Sequence, residues 1–263
     1  MTAPTTARQA TDPVLVSADS HVLTITLNRP DVHNAVNLDM AQRISDALDR
    51  LDDDPDLRVG IIAANGRSFC AGMDLKAFAR GEVPRPEPRG FAGIVKQPPA
   101  KPLVAAVEGA AVGGGFEIVL ACDLIVASES ARFSLPEVTR GLTPNGGGLL
   151  RLPRRIPHHL AMELILTGRP VTAARAAELG LLNRLTPPGS ALSTARELAA
   201  VIAANGPLAI RAAKRVVEES PDWPRTEMFT RQEDIVAPVR SSADAAEGAR
   251  AFAEKRMPLW RNR

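Results

Sequence analysis

Aromatic residues make up only 3% of the 263-residue sequence and tyrosine is absent, so a core has to be built from aliphatic side chains and alanine. The chain is long enough for one large core or for a core with an appendage. A formal net charge of +2 is too small to favour binding to nucleic acid or to an anionic membrane. The densest basic stretch, residues 151–155, is predicted to form a solvated surface.

Cysteine is also scarce. Cys70 and Cys122 are far apart and share no metal-ligand spacing, so a disulfide framework is not expected and a reducing compartment is favoured. His21, His158 and His159 have no carboxylate or cysteine pattern around them. The sequence therefore predicts no metal site.

Long apolar runs are missing. The longest, residues 103–127, is interrupted by Glu108, Glu117 and Asp123 and does not predict a membrane span. Residues 1–13 are polar and lack the apolar segment of a signal peptide. We expect them to be a flexible tail, and we expect a cytoplasmic protein.

Alternating strand and helix patterns predict an α/β fold. Residues 22–27 alternate with period two, as a half-buried strand does, and residues 38–51 place apolar side chains on one helical face. Residues 59–64 and 103–107 are short apolar runs typical of buried strands. This order favours parallel strands joined by right-handed crossovers.

Helical patterns dominate the second half of the chain, and strand signals fade beyond Asp123. The predicted helices cover residues 158–167, 173–179, 191–205, 207–219 and two more segments that end near Arg256. We therefore predict an α/β core over residues 14–195 and a helical region over residues 196–263. The proline-rich residues 81–102 predict a long irregular loop, a kind that often forms a pocket wall.

Residues 105–121 hold the most informative motif. A strand pattern runs into Gly113, Gly114 and Gly115, and a helix pattern opens near Glu117. Glycines let a ligand approach the unpaired N–H groups at a helix start, which is the physical basis of an oxyanion hole. The spacing fits neither a dinucleotide fingerprint nor a phosphate loop. A tight joint with a capping glutamate is the alternative interpretation.

Two further segments accompany this motif. Glu137 follows a proline in a loop rich in proline and glycine, and residues 69–75 form a small-residue turn after a buried strand. Neither segment predicts an activity by itself.

Together the three segments resemble the crotonase, or enoyl-CoA hydratase/isomerase, superfamily over nearly the whole chain. The similarity is carried by residues 68–75, 105–117 and 136–137, with further matches at residues 28–30, 34–35, 166–168, 177–181 and 251–256. The resemblance implies a crotonase-like spiral of ββα units whose helical C-terminal region forms a homotrimer or a hexamer. It also implies an acyl-CoA thioester substrate and no separate cofactor.

The resemblance assigns roles to the reacting groups. The backbone N–H groups of Met73 and Gly114 are expected to bind the thioester oxygen as an oxyanion hole. Glu117 is expected to orient or deprotonate the water that attacks C3, and Glu137 to donate a proton to C2. This pair is typical of a hydratase.

Substrate contacts are implied for a wider set of residues: Arg29, His33, Ala35, Ala71, Asp74, Leu75, Lys76, Gly113, Asn145 and Lys255. Asn145 departs from the family pattern, since many hydratases carry glycine there. Dienoyl-CoA isomerases of the family place an acid at that position and aspartate at position 117. This chain has neither, which disfavours that activity.

The resemblance thus implies an enoyl-CoA hydratase, a hydro-lyase of fatty acid metabolism such as β-oxidation. Three alternatives stay open: enoyl-CoA isomerisation, carnitinyl-CoA-type dehydration and acyl-CoA binding without turnover. Acyl chain length and the natural substrate are not predicted.

Overall fold

Two largely parallel sheets and ten α-helices form the computed structural model, which describes residues 12–263. Most of the predicted tail, residues 1–11, lies outside the described residues. The strands are β1 (Val14–Asp19), β2 (Val22–Leu27), β3 (Val59–Ala64), β4 (Ser68–Cys70), β5 (Leu103–Val107), β6 (Ala110–Val112), β7 (Leu124–Ser128), β8 (Arg132–Ser134), β9 (Val171–Thr172) and β10 (Arg184–Thr186).

The helices follow the strands and then dominate the C-terminal part. They are α1 (Leu38–Asp53), α2 (Leu75–Ala79), α3 (Gly114–Ala121), α4 (Gly148–Arg155), α5 (His158–Thr167), α6 (Ala173–Glu178), α7 (Ala191–Ala203), α8 (Pro207–Glu219), α9 (Met228–Arg240) and α10 (Ala243–Ala253). Short 3-10 helices cover Pro30–Val32, Phe91–Gly93, Pro136–Arg140 and Ser220–Asp222. None of the described helices is long and apolar enough to cross a lipid bilayer.

The larger sheet has the strand order β1-β2-β3-β5-β7-β10, and the smaller has the order β4-β6-β8-β9. All pairs are parallel except β1 with β2 and β8 with β9. The α/β prediction is confirmed, and strands continue beyond Asp123, where the strand signals in the sequence fade. Strands β7 to β10 all follow that residue, and β10 extends the larger sheet beside β7.

Helices cover both faces of the larger sheet. Helix α1 buries Met40, Ile44, Leu48 and Leu51, which recur at helical spacing, and Asn37 caps its first turn by accepting the N–H of Met40. The opposite face is covered by α7. Its buried alanines stand four residues apart at positions 191, 195, 199 and 203.

Helix α7 packs on the larger sheet along its length, and residue 195, the predicted boundary, lies inside this helix. The small alanine side chains let the helix backbone approach the strands closely. The division into core and C-terminal helices stays a prediction. Helices α8 and α9 bury few side chains within one chain, and Phe229 and Phe252 are 85% and 87% exposed.

Candidate active site

Segments from three parts of the chain meet around one cavity of about 450 Å³. They are residues 71–91, residues 112–117 and residues 136–145. The loop over residues 81–102, predicted as a pocket wall, contributes Val83, Arg85 and Phe91. The cavity is lined mainly by apolar surface with a few convergent polar groups, as ligand sites generally are.

Met73 and Gly114, the predicted oxyanion donors, line this cavity from adjacent turns. Val36 donates its N–H to Gly72 O at 2.8 Å and accepts the N–H of Asp74 at 2.9 Å, so the N–H of Met73, between them, is directed away from Val36. Gly114 is the first residue of α3, where helix N–H groups have no partner within the helix. A Cβ on Gly72 would lie 3.2 Å from Gly114 N, which shows how closely the two turns approach.

Glycine is needed at this junction for two physical reasons. Gly72 and Gly113 have φ values of +90° and +56°, a region that favours glycine. A Cβ on Gly115 would lie 2.1 Å from Cys70 O, so only glycine lets α3 pack on β4. Cys70 itself is a buried free thiol, as is Cys122, and burial raises the pKa of Cys70 to about 12.

Glu117 lies in the first turn of α3 and is only 3% exposed. Its Oε1 accepts the N–H of Gly146 at 2.7 Å and the N–H of Gly148 at 2.9 Å. Burial raises the pKa of Glu117 above its usual range, and these two N–H groups oppose that rise. The result is a buried carboxyl group held in one orientation.

Glu137 lies in the 3-10 helix that starts at Pro136 and lines the same cavity. Among residues 12–263, its Oε2 is one of two buried side-chain polar atoms without a hydrogen-bond partner. Burial, with further repulsion from Glu117, raises the pKa of Glu137. Two neighbouring carboxyl groups with raised pKa values suit one acid and one base.

Arg151 supports the loop that carries Gly146 and holds Glu117. Its guanidinium donates to Val95 O at 2.7 Å and lies 3.5 Å from Gly146 O, while Arg155 donates to Cys122 O at 3.0 Å. The prediction that residues 151–155 form a solvated surface is therefore wrong for Arg151 and Arg155 and holds for Arg154. The carbonyl groups of Val95 and Cys122 come from distant segments and left no signal near the arginines in the sequence.

Four of the predicted substrate contacts line the cavity beside the predicted oxyanion donors: Ala71, Leu75, Gly113 and Asn145. Arg29 and Asp74 instead pair with each other at 3.0 Å, and Arg29 also donates to Ala35 O. Asp74 caps α2 by accepting the N–H groups of Lys76 and Ala77. This network fixes the turn that carries Met73.

The remaining predicted contacts lie outside the cavity wall. His33 is exposed, and its Nδ1 lies 3.1 Å from Ser68 Oγ. Lys76 and Lys255 are exposed and do not line the cavity. Within the described part of the chain no cluster of His, Cys, Asp and Glu could hold a metal ion.

Sequence reasoning missed the amides that hold Glu117 and the charged wall beside them. Gly146 and Gly148 supply those amides, and Arg85 donates to Asn145 Oδ1 at 3.1 Å. Arg85 and Arg140 both line the cavity. The glycine-rich run after Pro144 was the available signal for the amides, but Arg85 stands out in no motif.

Comparison with known proteins identifies the family. The profile described as enoyl-CoA hydratase/isomerase matches residues 17–263. Enoyl-CoA hydratase EchA19 of Mycobacterium tuberculosis is 45% identical over 259 residues, covering 95% of this chain and 96% of the relative. A carnitinyl-CoA dehydratase of Salmonella typhi is 42% identical over 250 residues, covering 92% and 95%.

A solved structure agrees with these sequence relatives. The crystal structure of an enoyl-CoA hydratase from Mycobacterium tuberculosis H37Rv superposes with a TM-score of 0.94 at 54% identity, covering 96% of this chain and all of that one. The predicted crotonase-like α/β fold is thereby confirmed. On these grounds the chain belongs to the enoyl-CoA hydratase/isomerase family.

Proposed function

We propose that the protein is an enoyl-CoA hydratase that adds water across the 2,3 double bond of trans-2-enoyl-CoA to give 3-hydroxyacyl-CoA. One observation carries this proposal: a single cavity joins Glu117 and Glu137 to the adjacent amide turns at Met73 and Gly114. Hydration of a conjugated thioester needs a base, an acid and donors to the thioester oxygen, and these four groups can supply them. Coenzyme A enters as part of the substrate, and no further cofactor is proposed.

The thioester oxygen accepts hydrogen bonds from the N–H groups of Met73 and Gly114. As the water oxygen bonds to C3, the π electrons of the double bond move through C2 onto the thioester oxygen. The two amides stabilise the negative charge that develops there. Gly146 holds Oε1 of Glu117, so Oε2 is the oxygen that takes the water proton. Glu137, with its raised pKa, donates a proton to C2, and a proton then returns to it from Glu117.

Dehydration of a carnitinyl-CoA-type substrate is the second candidate. It is favoured by the 42% identity to a carnitinyl-CoA dehydratase. The same acids and amides would act in the reverse direction, with water leaving C3. The two candidates differ in the acyl group rather than in the machinery.

The remaining proposals concern substrate binding, assembly and pathway. We place coenzyme A against the turn held by Arg29 and Asp74, with the exposed His33 and Lys76 beside it. The exposed Phe229 and Phe252 support a homotrimer or a hexamer through the C-terminal helices, which would also bring Lys255 near a neighbouring subunit. A role in β-oxidation in the cytoplasm is consistent with two unbridged cysteines.

The test follows the loss of the enone-thioester absorbance of crotonyl-CoA. Glu117→Gln and Glu137→Gln should each reduce kcat by about 100-fold or more, the usual share of general acid–base catalysis. Glu163→Gln removes an exposed carboxylate on α5 and is the matched control, with unchanged turnover expected. Wild-type protein that binds a CoA thioester but hydrates none would contradict the proposal.

A further inference from the structure

Arg85 lies on the wall of the catalytic cavity beside the loop that holds Glu117. It lines the cavity together with Asn145, and one of its guanidinium nitrogens donates to Asn145 Oδ1 at 3.1 Å. Asn145 directly precedes Gly146, whose N–H binds Glu117. The Asn145 side chain therefore anchors the guanidinium at a fixed place next to the reacting groups.

The guanidinium of Arg85 forms no salt bridge within the described part of the chain. Among residues 12–263, no carboxylate lies within salt-bridge distance of its guanidinium. The two glutamates nearest to it in sequence are already paired: Glu82 with Arg80 and Glu87 with Lys96, each at 3.0 Å. Arg85 hydrogen-bonds only to a neutral amide, so an anion would add a favourable interaction rather than replace one.

The rest of the cavity reinforces this positive wall. Arg140 also lines it and, within the described part of the chain, forms no salt bridge. A cationic substituent at this wall would meet two guanidinium groups that, among residues 12–263, form no salt bridge.

The position of Arg85 also tells which part of the substrate it meets. The thioester oxygen is assigned to Met73 and Gly114, and C2 and C3 lie at the two acids. Asp74 and Arg29, the proposed coenzyme A contacts, pair with each other and, unlike Arg85, do not line the cavity. Arg85 binds Asn145, which directly precedes Gly146, the residue whose N–H holds Glu117. Because Glu117 is assigned to the water at C3, Arg85 faces the acyl group beyond C3.

We propose that Arg85 is a specificity residue that selects acyl groups with a carboxylate at the distal end, and that Asn145 orients its guanidinium. This inference rests on the proposed hydratase function, because that function fixes which end of the substrate faces Arg85. It separates the two candidate reactions: an enoyl-CoA with a distal carboxylate fits the wall, whereas the trimethylammonium group of a carnitinyl-type substrate is repelled by it.

The experiment compares three trans-2-enoyl-CoA thioesters of equal chain length that end in a carboxylate, a methyl or a trimethylammonium group. Hydration gives kcat/KM, and calorimetric titration with the three saturated acyl-CoA analogues gives Kd without turnover. The variants are Arg85→Met, Arg85→Lys and Asn145→Ala. Arg154→Met is the control, since Arg154 carries the same charge on α4 but pairs with Asp222 at 3.4 Å.

In wild type, the carboxylate analogue should bind about tenfold more tightly than the methyl analogue, the scale of one charge-assisted hydrogen bond on a partly exposed wall. The trimethylammonium analogue should bind more weakly than both. Arg85→Met should remove the preference for the carboxylate analogue while leaving Kd for the methyl analogue nearly unchanged. Arg85→Lys should keep most of this preference, and Asn145→Ala should reduce it. The control Arg154→Met should show the wild-type preference.

Two outcomes would overturn the inference: equal or tighter binding of the neutral or cationic analogue by wild type, or a uniform loss for all three in Arg85→Met. If the protein hydrates the enoyl-CoA substrates but its Kd values do not follow the expected order, the proposed function stands and the role of Arg85 is rejected. The expected order of Kd values without any hydration would support the role of Arg85 and reject the proposed reaction.

Discussion

Glu117 Oε1 lies 2.7 Å from the backbone nitrogen of Gly146, which donates to it. A Cβ on Gly146 would lie 2.5 Å from Glu117 Oε2, so Gly146→Ala has to displace the carboxyl group. We expect kcat for crotonyl-CoA hydration to fall on the order of 100-fold, as for other misplaced catalytic groups. Gly206→Ala, where a Cβ would come no nearer than 3.7 Å to Trp260, is the control. Normal kcat in Gly146→Ala would argue against a catalytic role for Glu117.

The turn at Gly72 gives a second prediction. Its φ is +90°, and a Cβ added there would lie only 3.1 Å from Val112 O, so Gly72→Ala shifts the amide of Met73. Loss of one oxyanion donor typically reduces kcat by about 100- to 1000-fold, and we expect a loss in this range. Met73→Leu keeps the backbone N–H and should stay within a few-fold of wild type. Steady-state kinetics of both variants tests whether the Met73 N–H is an oxyanion donor. Equal losses of kcat in Gly72→Ala and Met73→Leu would contradict that role.

Glu137 should destabilise the fold at neutral pH. Its pKa is raised in the folded protein, chiefly by burial, so the folded state keeps this proton to higher pH than the unfolded chain. Stability therefore falls as the pH rises from the ordinary carboxyl pKa through the folded-state pKa, and the penalty is complete above it.

Glu137→Gln removes this ionisation and should raise Tm by a few degrees at pH 7, with no gain at a pH below the ordinary carboxyl pKa. Thermal unfolding at several pH values measures the effect. The exposed Glu163→Gln variant should show no comparable pH-dependent gain. A gain for Glu137→Gln that is constant with pH would point to packing rather than ionisation.

Arg151 should tune the protonation of Glu117. Burial raises the pKa of Glu117, the amides of Gly148 and Gly146 oppose that rise, and the charge of Arg151 opposes it further. The charge of Arg85 also lowers the pKa of Glu117. Glu137 is the acid next to Glu117, and burial, together with the charge of Glu117, raises its pKa. Arg151→Met should therefore move the acidic limb of the kcat/KM profile to higher pH.

The lysine variant separates charge from shape. Arg151→Lys keeps the charge and should restore the position of the acidic limb, even if the bonds to Val95 O and Gly146 O are weakened. A loss of kcat/KM that is uniform over pH in Arg151→Met would show that the residue only holds the loop.

The sequence predicted correctly the strands and helices whose bounds depend on neighbouring residues alone. The bounds of β2, β3, β5 and α8 agree with the predicted ranges because apolar periodicity and Pro207 at a helix start mark them in the sequence. Strand β9 has two residues and exists only through its pairing with β8. Strands of this length leave too short a pattern to recognise.

The candidate site shows the same division. The glycine turns and both glutamates are visible in the sequence, and the structure brings them to one cavity, while their catalytic roles remain predictions. Arg151 and Arg85 could not be identified, because their significance depends on partners at Val95, Gly146 and Asn145 that only folding brings close. Charge without a local motif is usually solvated, and that expectation failed for Arg151.

The order of strands has a consequence for how the chain folds as it is synthesised. In both sheets every strand lies beside the one that precedes it in that sheet along the chain, so each new strand meets a neighbour that has already left the ribosome. No strand has to be inserted between two others. Both sheets can therefore grow in step with translation, each new strand pairing at the edge formed by the strand made before it.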